Sequence, residues 1–258
     1  MTQDVKTPKE ISSLAKKQVA KYATVRFHRG LAVSGFETNI GFEIRTEVGE
    51  SFTTKKLIFA TGVKDLMPDL PGFSECWGIS IIHCPYCHGY EVKDEVTGIL
   101  ANGDLAFNIA KEIHHWTKSL TLFTNGGSAL TKEQLDKLKK QNIKINETKI
   151  ARFEHTQGQL KYIQFKDGSR ADLKALYARP PYEQHCYIPE ILGCETTEQG
   201  HIMVDMFQKT TVRGVFACGD NSSPMRSVSN GVAMGTLAGV MVNKELIEEE
   251  FMSSPSRI

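Results

Sequence analysis

This sequence of 258 residues has no long apolar run and no strong charge excess. No stretch approaches the roughly 18 consecutive apolar residues that a membrane-spanning helix needs. The polar segment from Met1 to Lys6 also lacks the apolar core of a signal peptide. A formal net charge of +1 gives no electrostatic reason to expect a nucleic acid or an anionic membrane as partner. We therefore expect a cytosolic globular protein, and its length favours two domains over one.

Closely spaced cysteines are scarce, and the one short pair is Cys84 and Cys87. Three chemistries fit the run from Cys84 to His88: a redox disulfide, half of a zinc site, or covalent attachment of c-type haem. A reducing cytosol favours the redox pair, and the missing signal peptide disfavours haem. A closed zinc site would need further ligands, and the remaining cysteines form no second short pair, although Cys76 and His83 keep zinc open as a minor alternative.

Glycine is missing from the first position of a turn that otherwise matches a dinucleotide-binding fingerprint. The turn from Ala101 to Ala106 keeps Gly103 and Ala106 at its other two positions, between an apolar strand and a helix. The next strand ends at Phe123 without an acidic residue for a ribose hydroxyl or an arginine for a 2′-phosphate. The pattern predicts a βαβ unit in which NAD(P) binding by Gly103 and Ala106 is weak, and a scaffold without nucleotide is an equal alternative.

The first third of the chain reads as one helix followed by short strands. Thr7, Pro8 and Glu10 form a helix-start signal with a capping box. The expected strands are Thr24 to Phe27, Leu31 to Thr38, Phe42 to Thr46 and Ser51 to Phe59, arranged as an antiparallel meander. The last of them leads into Ala60, Thr61 and Gly62, small residues that let a ligand approach the backbone.

A second candidate ligand site lies near the C-terminus. The apolar strand Val212 to Ala217 leads to Gly219 and Asp220, whose carboxylate can accept hydrogen bonds from ribityl hydroxyls. Arg226, Ser227 and Val228 then begin a helix, and the positive N-terminal end of a helix suits the charge of a reduced flavin. Taken alone, the same residues also fit a capped strand-to-helix connection without a ligand.

Together these segments resemble the low-molecular-weight thioredoxin reductase family of flavoproteins. The shared motifs occur in the family order: Ala60-Thr61-Gly62, Pro71-Gly72-Phe73, Cys84-Pro85-Tyr86-Cys87, and Gly214 to Asp220 followed by Arg226-Ser227-Val228. Within the family, Cys-Pro-Tyr-Cys-His-Gly-Tyr-Glu is most similar to the branch that includes the oxidases closing disulfides in gliotoxin, holomycin and related dithiols. Reductases of the main branch place an acidic residue after the second cysteine, where this chain has His88.

The resemblance implies FAD as cofactor and a mechanism based on the cysteine pair. Cys87 would exchange electrons with the flavin, Cys84 would attack or release the partner's sulfur, and His88 would hold the thiol proton, whereas a surface histidine is the plain alternative for His88. The implied FAD-binding residues are Ala60, Thr61, Gly62, Gly219, Asp220, Arg226, Ser227 and Val228. No metal site is expected. The implied partner is a thiol or disulfide, either a small molecule or a thioredoxin-like protein, and the implied assembly is a homodimer.

One departure from the family concerns the N-terminal side. These flavoproteins ordinarily open with a strand, a Gly-x-Gly-x-x-Gly turn and a helix that bind the ADP half of FAD, and no such segment precedes Thr7. The sequence is then a truncated form, a chain completed by another, or a relative without flavin, and the motifs that are present favour truncation. The loss puts FAD binding by this chain alone in question.

The resulting fold prediction is α/β, with two Rossmann-like domains. Residues 1–67 and 193–258 form a discontinuous, truncated FAD-type domain that carries the meander, and residues 68–192 form the NAD(P)-type domain that carries the dithiol. The predicted activity is oxidation of a dithiol with oxygen as acceptor. The alternatives are an NADPH-dependent thioredoxin reductase and a non-enzymatic remnant or zinc-binding module.

Overall fold

The computed structural model describes residues 6–253. Helices lie at α1 (Pro8–Val19), α2 (Phe73–Cys76), α3 (Pro85–His88), α4 (Gly103–Ile113), α5 (Lys132–Lys140), α6 (Ile188–Ile191) and α7 (Val228–Ser253). The strands of the first half are β1 (Ala32–Thr38), β2 (Gly41–Thr46), β3 (Ser51–Thr54), β4 (Leu57–Phe59), β5 (Val63–Asp65), β6 (Ile81–Ile82), β7 (Thr97–Leu100) and β8 (Leu120–Phe123). The remaining strands are β9 (Lys144–Asn146), β10 (Ile150–Thr156), β11 (Gln159–Phe165), β12 (Arg170–Asp172), β13 (Ala175–Ala178), β14 (Tyr182–Gln184) and β15 (Val215–Ala217).

A five-stranded parallel sheet carries the predicted βαβ unit. Its strand order is β6-β13-β7-β8-β9, and α4 connects β7 to β8. One face of α4 buries Ala106, Ile109, Ala110 and Ile113 against the sheet. The other face of the sheet is covered by β10, β11 and β12, an antiparallel sheet whose buried side chains include Phe153 and Ile163. The βαβ prediction is confirmed, and the Rossmann-like architecture has apolar cores on both faces.

The antiparallel meander contains three strands, in the order β1-β2-β3. The predicted strand from Thr24 to Phe27 is wrong, since these residues form a turn and an irregular segment outside every sheet. The predicted strand from Ser51 to Phe59 is two strands. β3 pairs antiparallel with β2, whereas β4 pairs parallel with β15, more than 150 residues later. The run from Ser51 to Phe59 contains β-forming residues at both ends, but it does not reveal that the partner strand changes after Thr54.

Two short pairs of strands position the segments that carry the predicted site residues. β4 and β15 run parallel, and they are the two strands of this sheet within the described residues. β5 and β14 run antiparallel, with Asp65 opposite Tyr182. The segments after Phe59 and after Ala217 consequently leave the β4–β15 sheet side by side at the same edge.

The helix α1 begins as the sequence predicts, with a capping box at Thr7. The Thr7 hydroxyl accepts a hydrogen bond from the Glu10 backbone at 3.3 Å, and the Glu10 carboxylate accepts one from the Thr7 backbone at 2.8 Å. Within residues 6–253, none of the helices combines the length and the apolar composition that a membrane span requires.

An ion-pair network joins the C-terminal half of α7 to Lys56, the residue before β4. The Lys56 Nζ lies 2.9 Å from a Glu245 oxygen and 2.7 Å from a Glu249 oxygen, and its side chain is only 6% exposed. Lys209 also contacts Glu245, at 2.7 Å. Because the ammonium group is shielded from water, it depends on both carboxylates for its hydrogen bonds.

We predict that Lys56→Met lowers the free energy of unfolding by about 1–3 kcal/mol, since two carboxylates lose their charged donor. Urea unfolding followed by circular dichroism measures the change. Lys55→Met is the matched control, because Lys55 is exposed and should tolerate the substitution within about 0.5 kcal/mol. Equal stability of the two variants would contradict the structural role of Lys56.

Candidate functional site

The cysteine pair lies at the start of α3 and forms a disulfide. Cys84 is the N-cap residue, with Pro85 in the first helical position, and the Cα atoms of Cys84 and Cys87 lie 5.3 Å apart. The Cys84 Sγ also accepts a hydrogen bond from the Cys87 backbone N–H at 3.2 Å. One helical turn therefore brings the two sulfurs together, and the contact to the backbone N–H would stabilise a thiolate on Cys84.

A cavity of about 660 Å³ joins the disulfide to the segment before α7. Its wall includes both cysteines together with Arg226 and Ser227. The remaining lining residues are mostly aromatic or apolar: Trp77, His83, Pro85, Tyr86, Arg179, Pro180, Tyr182, Pro224 and Met225. The structure thus brings together two motifs that are distant in the sequence.

Arg226 is held in place by carboxylates. Its guanidinium donates two hydrogen bonds to Asp65, at 2.8 and 3.0 Å, and its Nε lies 3.7 Å from Asp220. The pKa of Arg226 is raised, chiefly by the hydrogen bonds to Asp65. Sequence reasoning missed Asp65, because only the fold places the end of β5 beside the start of α7.

The ends of β4 and β15 present open backbone at the predicted FAD-binding residues. Gly62 has a φ of +66° and Gly219 a φ of +86°, conformations that glycine adopts easily. No atom would lie within 4 Å of a Cβ built on either of them, so both face open space. Ala60 and Thr61 precede the first glycine, and Asp220 follows the second.

Asn221 ties the two strand ends together. Its side-chain amide donates to the Phe59 carbonyl at 2.9 Å and to the Thr61 hydroxyl at 3.3 Å, and the residue is fully buried. Sequence reasoning missed Asn221 as well. An asparagine after a strand-end glycine and aspartate is the only local signal, and it does not reveal which strand the amide reaches.

Several buried polar atoms in this region have no hydrogen-bond partner among the described residues. They are the Asn221 Oδ1, the His201 Nδ1, the Gln184 Oε1 and the Arg226 Nε. Buried polar atoms are normally paired, so a cluster of unpaired ones next to open glycines indicates room for a polar ligand. The isoalloxazine and ribityl parts of FAD fit this arrangement, with Ser227 and Val228 at the positive end of α7.

Tyr182 and His201 form a second polar group beside the cavity. The Tyr182 hydroxyl lies 2.8 Å from the His201 Nε2 and donates to the Gln199 carbonyl at 2.6 Å, and the two rings stack at 5.1 Å. Burial lowers the pKa of His201. Neither residue carries a motif, so the sequence alone could not identify them.

The two histidines next to the disulfide differ in their surroundings. His88, the residue expected to hold the thiol proton, is absent from the cavity wall, and its Nδ1 lies 3.2 Å from the Glu91 carboxylate. His83 lies in the wall, and burial followed by the charge of Arg226 lowers its pKa.

The loop after β7 is held by hydrogen bonds to the loop after β8. The Asn102 side chain donates to the Gly127 carbonyl at 3.0 Å and accepts hydrogen bonds from the backbones of Gly103 and Ala129, each at 2.8 Å. The side chain therefore bridges the loops that follow β7 and β8, where a dinucleotide would lie.

Negative charge is also present there. Asp104, in the first turn of α4, accepts a hydrogen bond from Gln134 at 2.7 Å. Ala106 is fully buried in the helix–sheet core. The Asp104 carboxylate already occupies the positive end of α4 and repels another anion there. The candidate nicotinamide site is therefore poorly suited to bind a pyrophosphate.

Comparisons with known proteins agree with this geometry. A protein named thioredoxin reductase tcpT from Claviceps purpurea is 35% identical over 257 residues, which cover 95% of this chain and 80% of the relative. Thioredoxin reductase aclD from Aspergillus oryzae is 31% identical over 218 residues, covering 81% of this chain and 69% of the relative.

Solved structures share the fold over nearly the whole chain. The crystal structure of HlmI superposes with a TM-score of 0.91 at 28% identity, covering 98% of this chain and 80% of that one. A putative thioredoxin reductase TrxB from Bacillus anthracis gives a TM-score of 0.90 at 27% identity, covering 97% and 84%.

The family model described as pyridine nucleotide-disulphide oxidoreductase matches residues 2–235, a range that includes the disulfide, both strand ends and the start of α7. The chain belongs to this family, as a thioredoxin reductase-like member.

Proposed function

We propose that this protein is a flavin-dependent thiol–disulfide oxidoreductase that oxidises a dithiol, with oxygen as the final electron acceptor. The observation that carries the proposal is the shared cavity, whose wall contains Cys84 and Cys87 as well as Arg226 and Ser227. When bound there, FAD would supply a two-electron acceptor for the cysteine pair.

The two cysteines have different roles because their surroundings differ. In this mechanism Cys84 forms the mixed disulfide with the substrate, because the Cys87 N–H stabilises negative charge on its sulfur. Cys87 is the sulfur that is released and that passes electrons on. Asp65 and Asp220 orient Arg226, while Gly62 and Gly219 leave the backbone accessible to the ribityl chain.

The candidate nicotinamide site bears on whether a dithiol or NADPH supplies the electrons. The Asn102 amide is already bonded to the neighbouring loop, Asp104 is acidic, and residues 124–130 contain no arginine or lysine. These features disfavour NADPH and favour a dithiol as the source of electrons. The names of the relatives support a second candidate function, that of an NADPH-dependent thioredoxin reductase.

A role as a zinc-binding module receives less support. Among the described residues, no three His, Cys, Asp or Glu side chains are placed to hold a metal ion together. A structural zinc site needs such a cluster of ligands. The proposed location in the cytosol and the choice between a small dithiol and a thioredoxin-like partner rest on the sequence and on the resemblance.

We predict that Cys87→Ser reduces dithiol-dependent oxygen uptake to the uncatalysed rate, since the disulfide can no longer form. The assay uses the purified chain with added FAD, dithiothreitol as probe and an oxygen electrode. Cys186→Ser is the matched control, because Cys186 lies outside the cavity wall and should retain activity. Full turnover by Cys87→Ser would rule out the mechanism.

We also predict that NADPH reduces the FAD-loaded protein at least about tenfold more slowly than dithiothreitol does. A tenfold difference corresponds to about 1.4 kcal/mol in the barrier. Stopped-flow absorbance under anaerobic conditions measures both rates. Faster reduction by NADPH would favour the reductase over the oxidase.

We propose a homodimer, supported by exposed apolar side chains on the meander, such as Val33, Phe36 and Phe52. Light scattering after gel filtration should give twice the mass of the chain. A mass equal to one chain at micromolar concentration would contradict the dimer.

A further inference from the structure

His83 is the histidine that shares the cavity with the disulfide. It immediately precedes Cys84, and among the histidines of residues 6–253 it alone contributes to the cavity wall. The expected proton carrier, His88, is turned towards Glu91 instead. The cavity therefore presents one imidazole to any thiol that enters to reach Cys84.

The surroundings of His83 leave one ring nitrogen free. Its Nε2 is buried and has no hydrogen-bond partner among the described residues, so an entering thiol can reach the imidazole only on its Nδ1 side. The ring lies against Trp77, with the centroids 6.0 Å apart. A neutral imidazole has one nitrogen that can accept a proton. An unpaired buried nitrogen costs free energy, and such groups are found preferentially where function requires them.

The charges around His83 favour its neutral form at pH 7. Burial is the largest cause of its lowered pKa, followed by the charge of Arg226, and His88 and Arg179 act in the same direction. Asp65 is the one opposing charge. An imidazole that is neutral near pH ~6.5 can accept a proton from a thiol whose own pKa is about 8.5.

We propose that His83 is the base that takes the proton from a substrate thiol as its sulfur attacks Cys84. This role deepens the proposed dithiol oxidation and rests on it.

The exchange moves two electrons from the substrate dithiol to the Cys84–Cys87 pair. A substrate thiol gives its proton to His83, its sulfur bonds to the Cys84 Sγ, and the Cys84–Cys87 bond breaks with both electrons passing to the Cys87 sulfur. The second substrate sulfur loses its proton to water and attacks the first, which releases Cys84 as a thiolate. His83 then returns its proton to Cys84. The substrate is oxidised by two electrons, and the cysteine pair is reduced by two.

The test measures this exchange without flavin. The oxidised full chain reacts with dithiothreitol between pH 5.5 and 9, the reaction is stopped by alkylation, and mass spectrometry counts the reduced Cys84–Cys87 pair. His83→Phe preserves a ring against Trp77, and His83→Gln preserves polarity. His114→Phe is the matched control, because His114 also has a buried, unpaired ring nitrogen and a pKa lowered by burial, but lies outside the cavity wall.

We expect both His83 variants to react about 10²-fold more slowly than the parent chain at pH 6.5, a typical contribution of a general base. The rates should converge above pH ~8.5, where the thiol ionises unaided, and His114→Phe should match the parent chain throughout. Parent-like rates at pH 6.5 for both His83 variants would overturn the proposal. So would a loss confined to His88→Gln.

The parent chain provides a second readout should the variants lose their circular dichroism spectrum. A rate that holds steady down to a pH below about 6.5 supports His83, whereas a tenfold fall per pH unit below about pH 8 overturns it. A parent chain whose disulfide does not react with dithiothreitol at any pH would overturn the proposed function itself, which is a distinguishable result.

Discussion

The ion pair between Asp65 and Arg226 is the interaction on which the site depends. Asp65 ends β5, which pairs with β14, and Arg226 lies just before α7, so one bidentate contact joins three segments that are distant in sequence. Asp65 is 10% and Arg226 22% exposed. Removal of one partner from a buried pair costs about 3–5 kcal/mol, because the other charge is left without compensation. The ion pair therefore fixes the position of Arg226 in the cavity wall.

The site combines local and long-range constraints. The disulfide needs only one turn of helix, with Cys84 as N-cap and Pro85 fixing the first helical residue. The ligand-facing glycines instead need β4 and β15 to pair, and Asn221 secures that pairing from within the core. The disulfide is thus determined by residues that are close in sequence. The predicted FAD-binding residues come together only in the completed fold.

The sequence predicted what is governed by short-range rules. The capping box at Thr7, the βαβ unit around α4 and the cysteine pair all follow from residues a few positions apart, and the structure and comparisons agree with them. The split of Ser51 to Phe59 into two strands was not predictable, because β-forming residues do not specify their partner. Asp65, Asn221 and His83 acquire their roles only through contacts that the fold creates. The roles of the remaining candidate residues stay predictions.

The proposed function requires electron exchange across one cavity between the Cys84–Cys87 pair and a flavin bound at the start of α7. Anaerobic titration of the FAD-loaded protein with dithiothreitol, followed by visible absorption and by counting reduced cysteines, tests it most directly. We expect the flavin bands to bleach in step with added dithiol, and Cys84→Ser to abolish the bleaching. A cysteine pair that becomes fully reduced while the bound flavin stays oxidised would contradict it.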